Sequence, residues 1–149
     1  MAFVLDASVT MSWCFADEAD ALTSTALNRC RTGSAVVPGI WALEVVNVLL
    51  VAERRGRIDP AASGRFLELL RGLPIDVYWN LPLDDSASLF DIARRHHLSA
   101  YDAAYLSLAV RRGLPLATKD AHLGQAARTE GVELLQPDNA GDASEAPSH

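Results

Sequence analysis

Short apolar runs alternate along this chain with longer segments that have the residue spacing of helices. The run from Phe3 to Leu5 has no polar residue at alternate positions, which is typical of a strand buried on both faces. Strands of this kind separated by helices indicate a parallel sheet with helices on both sides. We therefore expect an α/β fold, a three-layer α/β/α sandwich with about five parallel strands. The predicted strands are 3–5, 35–37, 75–79, 116–118 and 132–135.

Helices are predicted between these strands, several of them with recognisable ends. Asp59 followed by Pro60 favours a helix start, because aspartate is a good N-cap and proline suits the first helical position. Asp84 and Ser99 are interpreted as caps in the same way, and Gly33, like other glycines here, follows a predicted helix end. The predicted helices are 17–31, 40–55, 59–71, 84–95, 99–112 and 121–128.

Composition places the chain among globular proteins. Its 149 residues, half of them apolar, are most simply one domain with a buried core. No basic region precedes the first apolar run, and the longest apolar stretch, 41–52, is shorter than the ~20 residues of a membrane helix. Cys14 and Cys30 fit no metal or redox spacing and are expected to be buried free thiols. We expect a soluble cytoplasmic protein with no membrane partner.

The formal net charge of −6 argues at first against a nucleic-acid partner. Part of that charge lies in segment 137–149, which is acidic and almost free of apolar residues. We therefore expect a domain at 1–136 followed by a mobile tail. Basic residues cluster at 54–57, 94–97 and 111–112. These clusters fit solvated helix ends, where cations oppose the helix dipole, but a basic rim around an acidic site stays open.

Acidic residues lie at four places where an apolar segment ends or is interrupted: Asp6, Glu44, Asp102 and Asp120. Asp6 and Asp120 directly follow predicted strands, at the edge of the sheet where α/β folds bind ligands. A carboxylate removed from water is strongly disfavoured unless it is paired or bound to metal, and four at one point would repel each other. A hard divalent cation with oxygen ligands is the usual solution.

These carboxylates also have structural explanations. Asp6 could simply turn the chain or cap the next segment, and Asp120 could cap the helix that starts at 121. Asp102 stands three residues after Ser99, close to a capping box. Capping and metal binding are compatible, because a capping carboxylate is already fixed in direction. The two interpretations therefore both stay open for these residues.

Glu44 resists a capping explanation. It lies inside a predicted helix, with Ile40, Val48 and Val51 on the same face at helical spacing. Asn47, three positions later, lies on that face too and could orient the carboxylate. The pattern thus points to Glu44 as a functional residue with Asn47 as its support.

Four motifs that contain these acids together resemble the PIN-domain nucleases, and among them the ribonuclease toxins of VapBC-type toxin–antitoxin systems. The motifs are VLDASV at 4–9, WALEVVN at 41–47, YDAAYL at 101–106 and ATKD at 117–120. The resemblance covers the chain to about Leu135. It assigns the four acids to the family's acidic quartet, and Ser8 and Thr118 to hydroxyl positions near the metal.

The resemblance implies a Mg²⁺- or Mn²⁺-dependent endoribonuclease. Asp6 is the expected direct ligand, because it lies at the end of a central strand. Glu44 and Asp102 would bind directly or through water, and Asp120 in an outer shell or at a second metal. Metal binding of this kind requires no histidine. We interpret the four histidines of the chain as ordinary surface residues: His96, His97, His122 and His149.

The partners that the resemblance implies are an RNA substrate, a second copy of the chain in a homodimer, and a cognate antitoxin that lies along a hydrophobic groove. Trp13, Phe15 and Trp41 supply apolar material near the predicted site, although core packing is the commoner role of such aromatics.

Other functions for such a fold fit less well. A phosphotransfer protein of the haloacid-dehalogenase kind would have a second aspartate where Ser8 stands, and Lys119 does not have the setting of a receiver-domain lysine. A non-catalytic binding module would usually have lost part of the quartet. The main alternative is the same nuclease fold acting in RNA maturation or decay without an antitoxin.

Overall fold

Four parallel strands form the sheet, in the order β3-β2-β1-β4. The computed structural model describes residues 1–79 and 81–138. Strand β1 is central, since Val4 pairs with both Val36 of β2 and Leu116 of β4. The predicted α/β fold with a parallel sheet is thereby confirmed. The strands are β1 Ala2–Leu5, β2 Ser34–Pro38, β3 Ile75–Tyr78 and β4 Leu116–Ala117.

Helices flank the sheet, and α6 packs against β1, β2 and β4. Two of the predicted caps are confirmed: the Asp59 carboxylate accepts from the Ala62 amide at 2.8 Å, and Ser99 Oγ accepts from the Asp102 amide at 3.1 Å. The helices are α1 Ala7–Ser12, α2 Ala21–Thr32, α3 Ile40–Arg54, α4 Pro60–Arg71, α5 Ser86–His96, α6 Ala100–Arg112 and α7 Ala121–Thr129, with 3-10 turns at Ala16–Glu18 and Leu83–Asp85.

The predicted fifth strand at 132–135 is reduced to a single bridge. Leu134 pairs with Leu116, and the Leu116 amide donates to the Glu133 carbonyl while the Leu135 amide donates to the Leu116 carbonyl. Strand β4 is only two residues long, and this segment therefore has a short partner to pair with. The sheet therefore has four strands where about five were expected.

Two predicted helix starts are wrong, because each helix begins a few residues later in the chain than expected. The helix expected from 17 begins instead at Ala21, where Asp20 accepts from the Thr23 amide at 2.8 Å. Asp84 does not cap α5, because it lies within the 3-10 turn before that helix. Helix α1 was not predicted at all, since six residues are too few to show a helical period.

Buried apolar side chains of the strands and of α6 form the core, with Leu5, Leu106 and Leu116 fully buried. Both cysteines are free, Cys30 being buried and Cys14 half-buried. Within 1–79 and 81–138, no helix is long and apolar enough to cross a membrane. Of the predicted tail, the Asp138 amide donates to Thr25 Oγ1, and residues 139–149 lie outside the described residues.

Candidate active site

The carboxyl edge of the sheet brings together the four acids singled out in the sequence. Asp6 follows β1, and Asp120 lies three residues beyond β4. Glu44 is in the second turn of α3, which follows β2, and Asp102 is in the first turn of α6. The negative charges act on one another across this edge: Asp120 and Asp6 both raise the pKa of Asp102, and Asp6 raises that of Glu44.

Asp6 is the most buried of the four, with 6% of its surface exposed. Its Oδ2 accepts hydrogen bonds from Ser8 Oγ and Thr118 Oγ1, both at 2.7 Å. Burial raises the pKa of Asp6 above its usual value; the two hydroxyls oppose this shift, and the charge of Asp120 adds to it. Asp6 is therefore a carboxylate held rigidly in a place where its charge is disfavoured.

Ser8 and Thr118, predicted as supporting residues, connect α1 to the loop between β4 and α7. Ser8 Oγ accepts from the Lys119 amide, and Thr118 Oγ1 accepts from the Asp120 amide, both at 3.0 Å. The same two hydroxyls donate to Asp6. These hydrogen bonds thus hold the loop that carries Asp120 beside Asp6.

Asp120 and Asp102 both have the local roles that their positions suggested. The Asp120 carboxylate accepts from the Leu123 amide at 3.0 Å and so caps α7. The backbone amide of Asp102 donates to the capping hydroxyl of Ser99, and the Asp102 carboxylate lies at the edge of the site. Burial first, then the charges of Asp6 and Asp120, raise the pKa of Asp102.

Glu44 is half-buried, and its partner in the structure is Tyr105 rather than Asn47. Tyr105 Oη donates to Glu44 Oε1 at 2.6 Å, whereas Asn47 is exposed. Burial raises the pKa of Glu44, the Tyr105 hydrogen bond opposes this shift, and the charges of Asp6 and Asp102 add to it. Burial, followed by the contact with Glu44, also raises the pKa of Tyr105, so its hydroxyl stays protonated and acts as a donor.

Tyr105 is the site residue that the sequence analysis missed. It stands three positions after Asp102, on the same face of α6, so the helical period alone would have placed it beside an acid. Its side chain is also part of the core, because Tyr105 is fully buried.

No lysine or arginine within 1–79 and 81–138 forms an ion pair with any of the four acids. Lys119 lies between Thr118 and Asp120 in sequence, yet its ammonium contacts Ser12 Oγ at 3.0 Å and the Glu18 carbonyl at 2.6 Å. In the part of the chain that the structure describes, the site is therefore an acidic cluster without a lysine or arginine ion pair.

The donor set of this cluster fits a hard divalent cation, because every candidate ligand is a carboxylate or hydroxyl oxygen. In the described part of the chain, no three acidic, histidine or cysteine side chains are close enough to enclose an ion. Mg²⁺ takes one or two carboxylates directly and keeps several of its waters, so it does not require a group of three.

The basic clusters lie at helix ends, which agrees with the first of the two interpretations given above, that of solvated helix ends. Arg54 ends α3 and Arg111 is in the last turn of α6, so each is roughly 13–15 Å along its helix from the site acid of that helix. Arg95 and His96, at the end of α5, contact Glu130 at 2.7 and 2.6 Å. His96 is therefore a partly buried paired residue, not the ordinary surface histidine that was predicted.

An exposed apolar groove runs beside α6, while the aromatics predicted near the site are largely in the core. Trp41 and Phe15 are buried, and Trp13 Nε1 donates to the Thr23 carbonyl at 2.9 Å. The groove is instead lined by residues that include Leu43, 62% exposed, and Trp79, 69% exposed, together with Leu89 and Leu108.

Comparisons with known proteins agree with this fold. A family model described as PIN domain matches residues 3–129. The crystal structure of PAE2754 from Pyrobaculum aerophilum is similar, with 24% identity, a TM-score of 0.67 and 86% of each chain covered. FitAcB from Neisseria gonorrhoeae is similar at 16% identity and a TM-score of 0.62, over 92% of this chain and 98% of that one. These two likenesses establish a shared fold. No curated protein sequence matches significantly.

Proposed function

This chain belongs to the PIN-domain family, whose members are generally nucleases, and we propose that it is a Mg²⁺- or Mn²⁺-dependent endoribonuclease. The observation that carries the proposal is the convergence of Asp6, Glu44, Asp102 and Asp120 on one edge of the sheet. Burial raises the pKa of Asp6, Glu44 and Asp102, and the charges of neighbouring site acids add to each of these shifts. None of the four acids forms an ion pair with a lysine or arginine among the described residues. A bound cation would remove this repulsion.

Asp6 is proposed as the direct metal ligand, because its two hydroxyl contacts fix the carboxyl group at the end of the central strand. Glu44 and Asp102 would bind directly or through water, and Asp120 in an outer shell or at a second ion. A divalent ion held there supplies a water of lowered pKa and offsets negative charge on the phosphodiester. The role of Ser8 and Thr118 is to hold Asp6 in its orientation.

We further propose that the chain is the toxin of a type II toxin–antitoxin pair, with a cognate antitoxin and a second copy of itself as partners. The apolar groove beside α6 supports a protein partner, since exposed apolar grooves commonly accept amphipathic segments. Leu43, Val46 and Leu50 form an exposed stripe along α3, at the spacing of one helix face, which supports the homodimer.

Cleavage of RNA by the purified chain tests the catalytic part of the proposal. We expect endonucleolytic products in Mg²⁺ or Mn²⁺ and none in a chelator, with activity restored when metal is added back. A wild-type chain that is folded but leaves RNA intact in both metals would contradict it.

Expression in growing cells separates the toxin from the runner-up, a PIN nuclease of RNA maturation or decay. We expect the wild-type chain to arrest growth, and co-expression of a small DNA-binding protein encoded beside it to restore growth. Asp6→Asn is the control and should be harmless. A chain that cleaves RNA in vitro without arresting growth would favour the runner-up.

A further inference from the structure

Tyr105 reaches the acidic site from within the core. Its side chain is fully buried, and its hydroxyl donates to Glu44 Oε1 at 2.6 Å, joining α6 to α3. Tyr105 also lies one helical turn after Asp102, so one face of α6 presents both an acid and a donor to the site. The contact therefore connects two of the four acid-bearing elements directly.

A buried tyrosine hydroxyl usually finds a hydrogen-bond partner, and a backbone carbonyl in the core could serve as the acceptor. Here the acceptor is a carboxylate of the site. Glu44 has a long flexible side chain that is only half-buried, and Tyr105 is the residue that restrains it in the structure. A donor fixed by core packing can restrain a mobile carboxylate, whereas the exposed Asn47 on the same helix does not.

We propose that Tyr105 is a positioning residue that fixes the Glu44 carboxylate for metal binding. This role presupposes the metal-dependent function proposed above. Groups that hydrogen-bond a metal ligand set its direction and are commonly worth 10–100-fold in metal affinity. Tyr105 engages Oε1, and Oε2 receives no side-chain donor from the residues that the structure describes. One oxygen of Glu44 is thereby anchored while the other remains for the ion.

The test measures Mn²⁺ affinity of the full chain by electron paramagnetic resonance, where the signal of free aqueous Mn²⁺ reports the unbound ion. Tyr105→Phe removes one hydroxyl and keeps the buried ring. We expect it to bind Mn²⁺ about 10–100-fold more weakly than the wild type, with an unchanged far-UV circular dichroism spectrum. Tyr101→Phe is the matched control on the same helix: Tyr101 is 59% exposed, and its variant should bind Mn²⁺ like the wild type.

A double variant asks whether Tyr105 acts through Glu44. Glu44→Gln should weaken Mn²⁺ binding, and adding Tyr105→Phe to it should cause no further loss. Equal Mn²⁺ affinity of Tyr105→Phe and wild type would overturn the positioning role while leaving the nuclease function intact. An additive loss in the double variant would show that the hydroxyl affects Mn²⁺ binding by a route other than Glu44, and failure of Tyr105→Phe to fold would assign the hydroxyl to the core. Either result would overturn the positioning role. A wild type that binds no Mn²⁺ would overturn both proposals.

Discussion

Two groups of carboxylates in this molecule have opposite surroundings. Asp20 accepts from the amide and hydroxyl of Thr23 and lies 3.3 Å from Lys119 Nζ, and Glu130 contacts both His96 and Arg95. The pKa of Asp20 is lowered chiefly by the Thr23 amide, and that of Glu130 chiefly by His96. At the sheet edge, burial instead raises the pKa of Asp6, Glu44 and Asp102. Among the described residues, the fold pairs these two structural carboxylates with basic side chains, and it pairs no lysine or arginine with the site acids.

Lys119 shows the contrast most clearly. It is the residue directly before Asp120, but its ammonium points to Ser12, the Glu18 carbonyl and Asp20. A lysine adjacent in sequence to a site acid thus stabilises the neighbouring 3-10 turn rather than the site. This arrangement leaves the charge of the four acids for an external cation to balance.

We expect the largest effect on RNA cleavage when one carboxylate of each group is replaced by its amide. Asp6→Asn is nearly isosteric and should keep the fold but lower metal-dependent RNA cleavage by more than about 100-fold, because a direct ligand should matter more than an outer-shell partner. Glu130→Gln should keep cleavage and lose about 1 kcal/mol of stability, because it weakens charged hydrogen bonds. Cleavage normalised to the folded fraction and urea unfolding provide the two measurements. Near-normal cleavage by Asp6→Asn would remove Asp6 from the site.

Asp102 and Ser99 give a second contrast, between an acid and the cap beside it. Asp102→Asn should leave a folded protein whose cleavage rate is reduced by orders of magnitude. Ser99→Ala removes the hydroxyl that accepts from the Asp102 amide and should cost about 1 kcal/mol of stability while activity persists. RNA cleavage in excess Mg²⁺, corrected by circular dichroism, distinguishes them. Equal activity in the two variants would reduce Asp102 to a structural role.

A smaller effect is expected in the pH dependence of stability without metal. For Asp6 and Glu44 the folded pKa is raised, so as pH rises above the ordinary carboxyl values of 3.8 and 4.5 the folded state holds more protons than the unfolded state. The free energy of unfolding should therefore fall with rising pH until the raised pKa values are passed. Glu130 has a lowered pKa, and its contribution has the opposite sign: it is present above the ordinary value and lost as pH falls.

Urea unfolding in a chelator, repeated over this pH range, checks both signs. Asp6→Asn should reduce the decline of stability with rising pH, and Glu130→Gln should reduce the loss at low pH. A stability profile of Asp6→Asn that runs parallel to that of the wild type at every pH would show that Asp6 carries no such penalty.

Local signals in the sequence were sufficient for most of the fold. Apolar runs marked β1 to β4, and the caps at Asp59 and Ser99 marked two helix starts. The cap predicted at Asp84 was wrong because a 3-10 turn, Leu83–Asp85, precedes α5 and places Asp85 at the start of the helix. The strand predicted at 132–135 was wrong because strand length depends on the partner strand, here the two-residue β4. Where several local choices are similar in energy, tertiary contacts decide between them.

The candidate site was predictable as a set of acids but not as a set of contacts. Strand ends placed Asp6 and Asp120 at one edge, because parallel strands share their carboxyl ends. The partner of Glu44 lies on another helix, α6, which no period within α3 can reveal. The local rule suggested Asn47, and the fold instead brings the Tyr105 hydroxyl to Glu44. The groove around Trp79 was missed for the same reason, since it exists only between elements.

Metal-dependent melting tests the central claim most directly, namely that the sheet-edge acids form one cation site. Mg²⁺ or Mn²⁺ should raise the melting temperature of the wild type, because a ligand that binds the folded state stabilises it by about 2.7 kcal/mol at 100 times its Kd. Glu44→Gln should reduce this rise and melt higher than the wild type in a chelator, while Glu130→Gln should show the full rise. An equal metal-induced rise in wild type and Glu44→Gln would contradict the shared site.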